Sequence, residues 1–303
     1  MRPLFVLCLC LCGLLLAAPP ARADLRIVTT TPDLATLAKQ VGKDHVQVTS
    51  LALHTQDPHW VDARPNLALE LSRADMCVLT GLDLELGWLP TLLTGARNGA
   101  IQPGGKGYLD ASQFVSKLEV PTGPVDRSMG DIHPHGNPHY LLDPRRAMKV
   151  ASGLAGKMGA LDPANQDFYR KNADEFVAKL TQWKTVWDKK LGWLRGKKVI
   201  GYHQSLPYLA DWLGFTVTTS IQPRPGIPPN PAHVAHVIEL ARKTDVKLIL
   251  QESWHPGQTS KLVAEQAGVR LVVIPGAPDY RGGQSYLGFV NEIVTRLGEA
   301  KPN

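Results

Sequence analysis

Two stretches of alternating strand and helix patterns, separated by residues 143–194 without a strand pattern, most constrain what this chain can fold into. In the first stretch, short β-branched runs predict strands at 26–30, 46–51 and 76–80, with helices at 32–41 and 66–72. The second stretch predicts strands at 198–202, 216–220, 247–250 and 270–274, with helices at 207–213, 232–242, 259–267 and 285–297. Because β-α-β alternation forms parallel sheets covered on both faces, we expect an α/β protein with two lobes.

The middle stretch predicts one long helix. Asp162 is placed to cap it and Pro163 to be its first residue. Apolar residues then recur at mostly three- and four-residue steps: Phe168, Phe176, Leu180, Trp183, Trp187 and Leu191. A helix over 163–194 would be about 48 Å long and would join the lobes as a rigid strut. The alternative is two ordinary helices broken near Gly192.

The N-terminus has the pattern of a secretory signal peptide. Arg2 precedes an apolar run over residues 4–18, and Ala21-Arg22-Ala23 predicts cleavage after Ala23. The run is shorter than the roughly 20 residues of a spanning helix. Its cysteines lack the sequence context of a lipoprotein site. We therefore expect a periplasmic protein without stable membrane insertion, divided into a signal peptide (1–23), an N-terminal lobe (24–143), a helical linker (144–196) and a C-terminal lobe (197–303).

Charge and cysteine content exclude several classes of protein. The formal charge is +6, and Lys and Arg are scattered rather than arranged in a stripe, so a nucleic-acid partner is not expected. Cys77 is the only cysteine after the predicted cleavage site and lies in an apolar run, which predicts a buried, inert thiol and no intramolecular disulfide.

Histidines at predicted strand ends are the main candidates for chemistry. His59 follows the strand at 46–51 and His203 follows the strand at 198–202. The carboxyl ends of parallel strands are where open α/β sheets place ligand-binding groups. His139 precedes the start of a helix at Asp143-Pro144. Taken singly, each ring would also fit a solvated, capping or core role. His45, His233, His236 and His255 are expected to be solvated.

Further potential ligands lie in a histidine-rich loop and at two other strand ends. His133 and His135 belong to the loop Asp131-Ile132-His133-Pro134-His135, whose prolines exclude a helical pair of ligands. Glu252 ends the strand at 247–250, and Asp279 lies in the loop after the strand at 270–274. Imidazoles with a carboxylate suit zinc and similar borderline metals. The chain contains no helical H-E-x-x-H pattern, nucleophile elbow, P-loop or dinucleotide fingerprint.

Three motifs, in their order and spacing, carry a resemblance to a known family. They are Gln56-Asp57-Pro58-His59, then Asn137-Pro138-His139-Tyr140-Leu141-Leu142-Asp143-Pro144, then Tyr202-His203-Gln204-Ser205. With them the chain resembles the zinc/manganese class of ABC-transporter solute-binding proteins, most closely the high-affinity zinc-uptake type. The resemblance covers essentially the whole chain after the leader. It implies two α/β lobes with a metal site in the cleft between them.

The resemblance also implies a ligand set and a partner. His59, His139 and His203 would bind the metal, with Asp279, Glu252 or water in the fourth position, because Pro275-Gly276 stands where the family often has an Asp. His133 and His135 would gather metal as an auxiliary pair. Zn(II) is expected as the transported ion, ahead of Mn(II) or Fe(II). The protein would act as a monomer that delivers the ion, without catalysis, to an inner-membrane ABC permease.

Two other functions remain as alternatives. A secreted zinc hydrolase would use the three histidines with a metal-bound water and Glu252 as a base. A surface adhesin would bind a partner without delivering metal.

Overall fold

Two four-stranded parallel sheets, each flanked by helices, form the computed structural model, which describes residues 24–123 and 133–301. The first sheet has the order β2-β1-β3-β4, with β1 at Leu25–Thr29, β2 at Val46–Ser50, β3 at Met76–Leu79 and β4 at Tyr108–Asp110. Its helices are α1 (Pro32–Gly42), α2 (Pro65–Ser72) and α3 (Leu89–Ala96). The predicted α/β class is confirmed for this lobe.

The second sheet has the order β6-β5-β7-β8. Its strands are β5 (Lys198–Gly201), β6 (Thr216–Ser220), β7 (Val246–Glu252) and β8 (Arg270–Ile274). The helices that connect and follow them, taken after α4 and α5 of the middle segment, are α6 (Pro207–Leu213), α7 (Pro231–Lys243), α8 (Gly257–Ala267) and α9 (Tyr286–Glu299). Every pair of strands is parallel, as the β-α alternation predicts.

The middle segment folds as two helices, α4 (Pro144–Leu161) and α5 (Gln166–Leu191). The predicted long helix is α5, about 39 Å at 1.5 Å per residue, with a short 3-10 turn at each end, Pro163–Asn165 and Gly192–Leu194. As predicted, Asp162 is an N-cap and Pro163 a first residue, but of the 3-10 turn that precedes α5, and no capping hydrogen bond is made by the side chain of Asp162. Its carboxylate instead accepts hydrogen bonds from Asn165 and Tyr169, which fixes the turn between the two helices.

Helix α5 contacts both lobes. Its buried face packs on α4, on α1 of the first lobe and on α9 of the second. At one end Asn172 donates a hydrogen bond to the carbonyl of Val41 at 2.9 Å, and at the other Trp187 donates to Asn291 at 3.3 Å. One continuous apolar core runs through both lobes and this helix. The bracing role predicted for the helix therefore has a structural basis in these contacts.

Two elements of the first lobe have no counterpart in the predicted pattern. Strand β4 has only three residues, and its alternation is too short to register as a strand. Helix α3 is an eight-residue apolar segment in which Pro90 lies in the first turn. Both complete the lobe around a local core that includes Cys77, which is fully buried as predicted.

The leader and part of the histidine-rich loop fall outside the described residues. The predicted cleavage after Ala23 concerns residues 1–23, and Asp131-Ile132 belong to 124–132. Within the ranges that the structure describes, no helix combines the length and the apolar composition that a bilayer crossing requires.

A buried carboxylate ties together the loops that follow β1 and β3. Glu85 accepts hydrogen bonds from the Thr30 hydroxyl at 2.6 Å and from the backbone N–H groups of Thr80 and Gly81 at 2.7 and 3.1 Å. Burial raises the pKa of Glu85 to about 7, although these hydrogen bonds oppose the rise. The side chain thus holds the carboxyl edge of the first sheet at some electrostatic cost.

Replacing Glu85 tests this cost. Because its folded pKa of about 7 lies above the ordinary value of 4.5, its contribution to stability is complete below pH 4.5 and is lost as the pH rises through 7. Glu85→Gln does not ionise. The free energy of unfolding of the variant relative to the parent should therefore rise by about 3 kcal/mol between pH 4 and pH 8 in denaturant titrations.

The exposed Glu265→Gln on α8 is the matched control and should show no such pH trend. A flat difference for Glu85→Gln as well would contradict the burial argument.

Candidate metal centre

Three histidines from separate segments meet between the two sheets. His59 lies in the loop that follows β2, His203 directly follows the bend after β5, and His139 precedes the 3-10 turn Tyr140–Leu142 that leads into α4. Carboxyl ends of strands from both sheets point into this region. Residues that follow β1, β3, β5 and β8 line one small cavity of about 40 Å³ there, among them Thr31, Thr80, Ser205 and Gly276.

The three rings are close enough to share one cation. One ligand-type nitrogen from each of His59, His139 and His203 lies within 4.8 Å of the other two. The ring centroids are 5.2 Å apart for His59 and His139, 5.2 Å for His59 and His203, and 5.3 Å for His139 and His203. Rings at this spacing could close around a metal with zinc–nitrogen bonds of about 2 Å after small shifts.

Hydrogen bonds fix which nitrogen faces the cluster. The Asp57 carboxylate lies 2.7 Å from Nδ1 of His59 and accepts the backbone N–H of the same residue at 3.0 Å. The amide oxygen of Gln222 lies 2.8 Å from Nδ1 of His203. Since these oxygens accept, each Nδ1 donates and each Nε2 keeps its lone pair. His139 is held by its backbone N–H, which donates to Asn137 at 3.0 Å.

Burial keeps two of these imidazoles, His139 and His203, neutral. Desolvation, followed by the charge of His59, lowers the pKa of His203 to about 3 and that of His139 well below its ordinary value. Nε2 of His139 is inaccessible to solvent and has no hydrogen-bond partner in the described part of the chain. A buried, unpaired imidazole nitrogen is costly unless something binds to it. This nitrogen is therefore the observation in this structure that best fits a metal.

Asp57 stays ionised beside His59. Burial alone would raise its pKa, but the hydrogen bond to His59 and the charge of that ring outweigh burial and lower the pKa to about 2. A carboxylate behind a ligating imidazole is a common arrangement in metal sites, where it orients the ring and raises its basicity. The sequence motif contained Asp57, but nothing in the pattern assigned it this role.

The two carboxylates predicted for the fourth position differ in environment. Glu252 is buried, accepts a hydrogen bond from Ser205, and lines the small cavity together with His139. Its Oε2 has no hydrogen-bond partner among residues 24–123 and 133–301, and lies 3.6 Å from Nε2 of His255. Burial raises the pKa of Glu252 to about 7. Asp279, by contrast, is 44% exposed, and its carboxylate lies 3.2 Å from Nδ1 of His54.

The predicted auxiliary histidines separate in space. Nε2 of His133 lies 3.3 Å from Nε2 of His59, so this ring borders the cluster. Burial, and then the charge of His59, lower the pKa of His133 to about 4. His135 is 69% exposed and lies 3.9 Å from the carboxylate of Asp83, away from the three rings.

Several histidines expected to be solvated are packed instead. His255 is only 7% exposed, stacks on Tyr202 with a centroid distance of 4.5 Å, and lies 5.8 Å from the ring of His203. His233 donates to the carbonyl of Ser220 at 3.0 Å, and His45 packs against Phe168. The prediction of a solvated ring is wrong for His255, whereas His45 and His233 are half-buried. A single loop histidine gives no periodic signal, so the sequence cannot distinguish burial from exposure there.

Comparisons with known proteins identify the family of the chain. The family model described as "Zinc-uptake complex component A periplasmic" matches residues 27–300. The zinc-binding lipoprotein AdcA of Streptococcus pneumoniae is 23% identical over 98% of this chain and 60% of its own length. The manganese ABC transporter substrate-binding lipoprotein PsaA of the same species is 23% identical over 91% of this chain and 88% of its own. The chain thus spans about three fifths of the length of the zinc-binding relative.

A solved structure shares the fold. The crystal structure of a protein named ZnuA superposes with a TM-score of 0.75 at 22% identity and covers 91% of this chain and 98% of its own. At this identity the likeness concerns the fold alone, and it agrees with two parallel-sheet lobes joined by a long helix.

The protonation state of the cluster can be measured directly. Because the folded pKa values of His139 and His203 are depressed, we expect both rings to stay neutral from pH 7.5 down to pH 5 in imidazole NMR titrations of metal-free protein. The same depression means that stability is complete above about pH 6.5 and falls as the pH drops. The control is the protein in urea, where every ring should titrate near 6.5. Protonation of either folded ring near pH 6.5 would contradict the assignment.

Proposed function

The chain belongs to the family of periplasmic zinc-uptake components A, and from this premise we propose that it captures a divalent transition metal, Zn(II) first, in the periplasm and delivers it to an inner-membrane ABC permease. The observation that carries the proposal is the meeting of His59, His139 and His203, one ring nitrogen of each lying within 4.8 Å of the other two. The metal is cargo rather than a resident cofactor, and the protein acts as a monomer. Its metal site lies between two lobes, about residues 24–143 and 197–303, which residues 144–196 link.

Zinc is proposed because of the donor atoms. Three imidazoles form a nitrogen-rich set, which suits a tetrahedral zinc site, whereas manganese prefers more oxygen ligands. Because burial keeps His139 and His203 neutral, these two rings would release no proton when the ion binds near neutral pH. The relatives are named for zinc or for manganese, so their names do not decide between the two ions. The choice of zinc depends on the donor atoms of this chain.

Glu252 is the better placed carboxylate for the fourth position. Its buried, unpaired Oε2 shares a cavity with His139, and an ionised form would gain from a nearby cation. Asp279 would first have to leave His54. Water is the remaining candidate. With either carboxylate the shell would be closed, and a closed shell leaves no position for an activated water, which favours binding over hydrolysis.

His133 is proposed to hand the ion to His59. The two Nε2 atoms lie 3.3 Å apart, so a cation held by His133 would need to move only a short distance to reach the three-histidine site. His135 would take part only by catching ions at the surface.

Alanine replacements separate the proposed ligands from the auxiliary pair. His59→Ala, His139→Ala and His203→Ala should each lower zinc affinity by more than the roughly 10- to 100-fold typical of losing a supporting hydrogen bond. The double variant His133→Ala/His135→Ala should lose much less. Competition with a chromogenic chelator measures the affinities. Equal losses in all four proteins would contradict the assignment of three principal ligands.

The identity of the cargo is tested on the protein as cells make it. Native mass spectrometry of periplasm-purified protein, with elemental analysis, should find one zinc per chain and none in His203→Ala. Manganese in place of zinc would overturn the zinc assignment. Hydrolysis of an ester, amide or phosphate that disappears in His203→Ala would support the secreted hydrolase instead. Unaltered growth of a deletion strain under zinc limitation would favour an adhesin.

A further inference from the structure

Two of the proposed ligands are oriented by acceptors of different charge. In the first lobe, Nδ1 of His59 lies 2.7 Å from a carboxylate oxygen, that of Asp57. In the second lobe, Nδ1 of His203 lies 2.8 Å from a neutral amide oxygen, that of Gln222. The site is therefore asymmetric behind its ligands, although the ligands themselves are chemically alike.

The register of the second sheet places Gln222 beside His203. Strands β5 and β6 pair in parallel up to Gly201 and Ser220. The backbone continues this pairing beyond the strands, because the N–H of Ile221 donates to Gly201 and the N–H of Gln222 donates to Tyr202, both at 2.9 Å. The residue after Tyr202 is His203. The main chain thus fixes Gln222 next to the ring, independently of the side-chain hydrogen bond.

A water-accessible cavity borders the ring on this side. His203 and Gln222 both line a space of about 470 Å³, together with Glu119, Arg224 and His233. The side chain of Gln222 therefore supplies Nδ1 of His203 with an acceptor where solvent would otherwise compete for it. An acceptor whose main chain is already fixed orients a ring with less loss of entropy than a mobile water.

We propose that Gln222 is a positioning residue of the metal site, the neutral counterpart of Asp57, and that it makes His203 the weaker of the two imidazole ligands. This inference rests on the proposed metal-binding function. A carboxylate acceptor polarises an imidazole more strongly than an amide does, and so strengthens its bond to a metal. The bond to His203 in the second lobe would then break first. At that stage of release the ion would still be bound by the first lobe.

Two substitutions at one position separate positioning from simple packing. Gln222→Leu removes the acceptor and fills its place with an apolar side chain of similar size, which keeps water out. Gln222→Glu keeps the acceptor and gives it a charge. With zinc(II) alone as the probe, Gln222→Leu should lose about 10- to 100-fold in affinity, and Gln222→Glu should retain or exceed the parental affinity and release zinc more slowly into excess chelator.

Asp57→Asn provides the complementary measurement in the first lobe. Neutralising this acceptor should speed zinc release, the opposite of the effect expected for Gln222→Glu. Gln182→Leu, on the exposed face of α5, is the matched control for a lost amide and should behave as the parent. Thermal unfolding of the metal-free variants shows whether each one folds, and the visible spectrum of the cobalt(II) forms reports the geometry of the site.

Different outcomes would contradict the positioning role of Gln222 and the proposed capture of metal. Parental affinity and release rate in both Gln222 variants would overturn the positioning role while leaving metal capture intact. Equal losses in Gln222→Leu and Gln222→Glu would overturn it too, because a purely structural side chain does not depend on an acceptor. A parent protein that binds no zinc would instead overturn the proposed function.

Discussion

Three imidazoles held against one another are the constraint on which the rest of the structure depends. The ring centroids of His139 and His203 lie 5.3 Å apart, and two protonated rings at this distance would repel each other in a desolvated site, so these two rings must stay uncharged. Burial supplies that condition for His139 and His203. The acceptors behind His59 and His203 then direct the lone pairs inward. A site of this kind is prepared for a cation before any cation arrives.

The segment that carries His139 is joined to both lobes, and this limits how the cleft can change. Asn137 donates to the carbonyl of Gln204 at 2.6 Å and accepts at its own carbonyl from the hydroxyl of Tyr208 at 2.8 Å, both in the second lobe. Next to His139, Tyr140 donates to the carbonyl of Thr80 in the first lobe at 2.7 Å. A wide opening would break these buried hydrogen bonds. Together with α5 packed on both lobes, they favour small movements of loops and side chains over a large hinge rotation.

The zinc proposal depends on donor chemistry rather than on family membership. Relatives that match this chain in sequence are named for zinc or for manganese, so the likeness to them does not select the ion. The support comes from the groups at the cleft of this chain: three imidazole nitrogens, together with the buried carboxylate of Glu252, whose Oε2 has no hydrogen-bond partner among the described residues. Replacement of one imidazole by an oxygen donor would move the preference toward harder ions.

The sequence by itself determined the fold class and the strand-end positions of His59 and His203, because strand periodicity is local, whereas only the resemblance of the three motifs grouped these rings with His139. It did not determine β4, the burial of His255, or the pairing of His203 with Gln222, because each depends on segments that only the folded chain brings together. The sequence likewise did not determine the environments of Asp279 and Glu252. Both follow a strand in the sequence, yet only tertiary packing makes one an exposed partner of His54 and leaves the other buried beside the cluster.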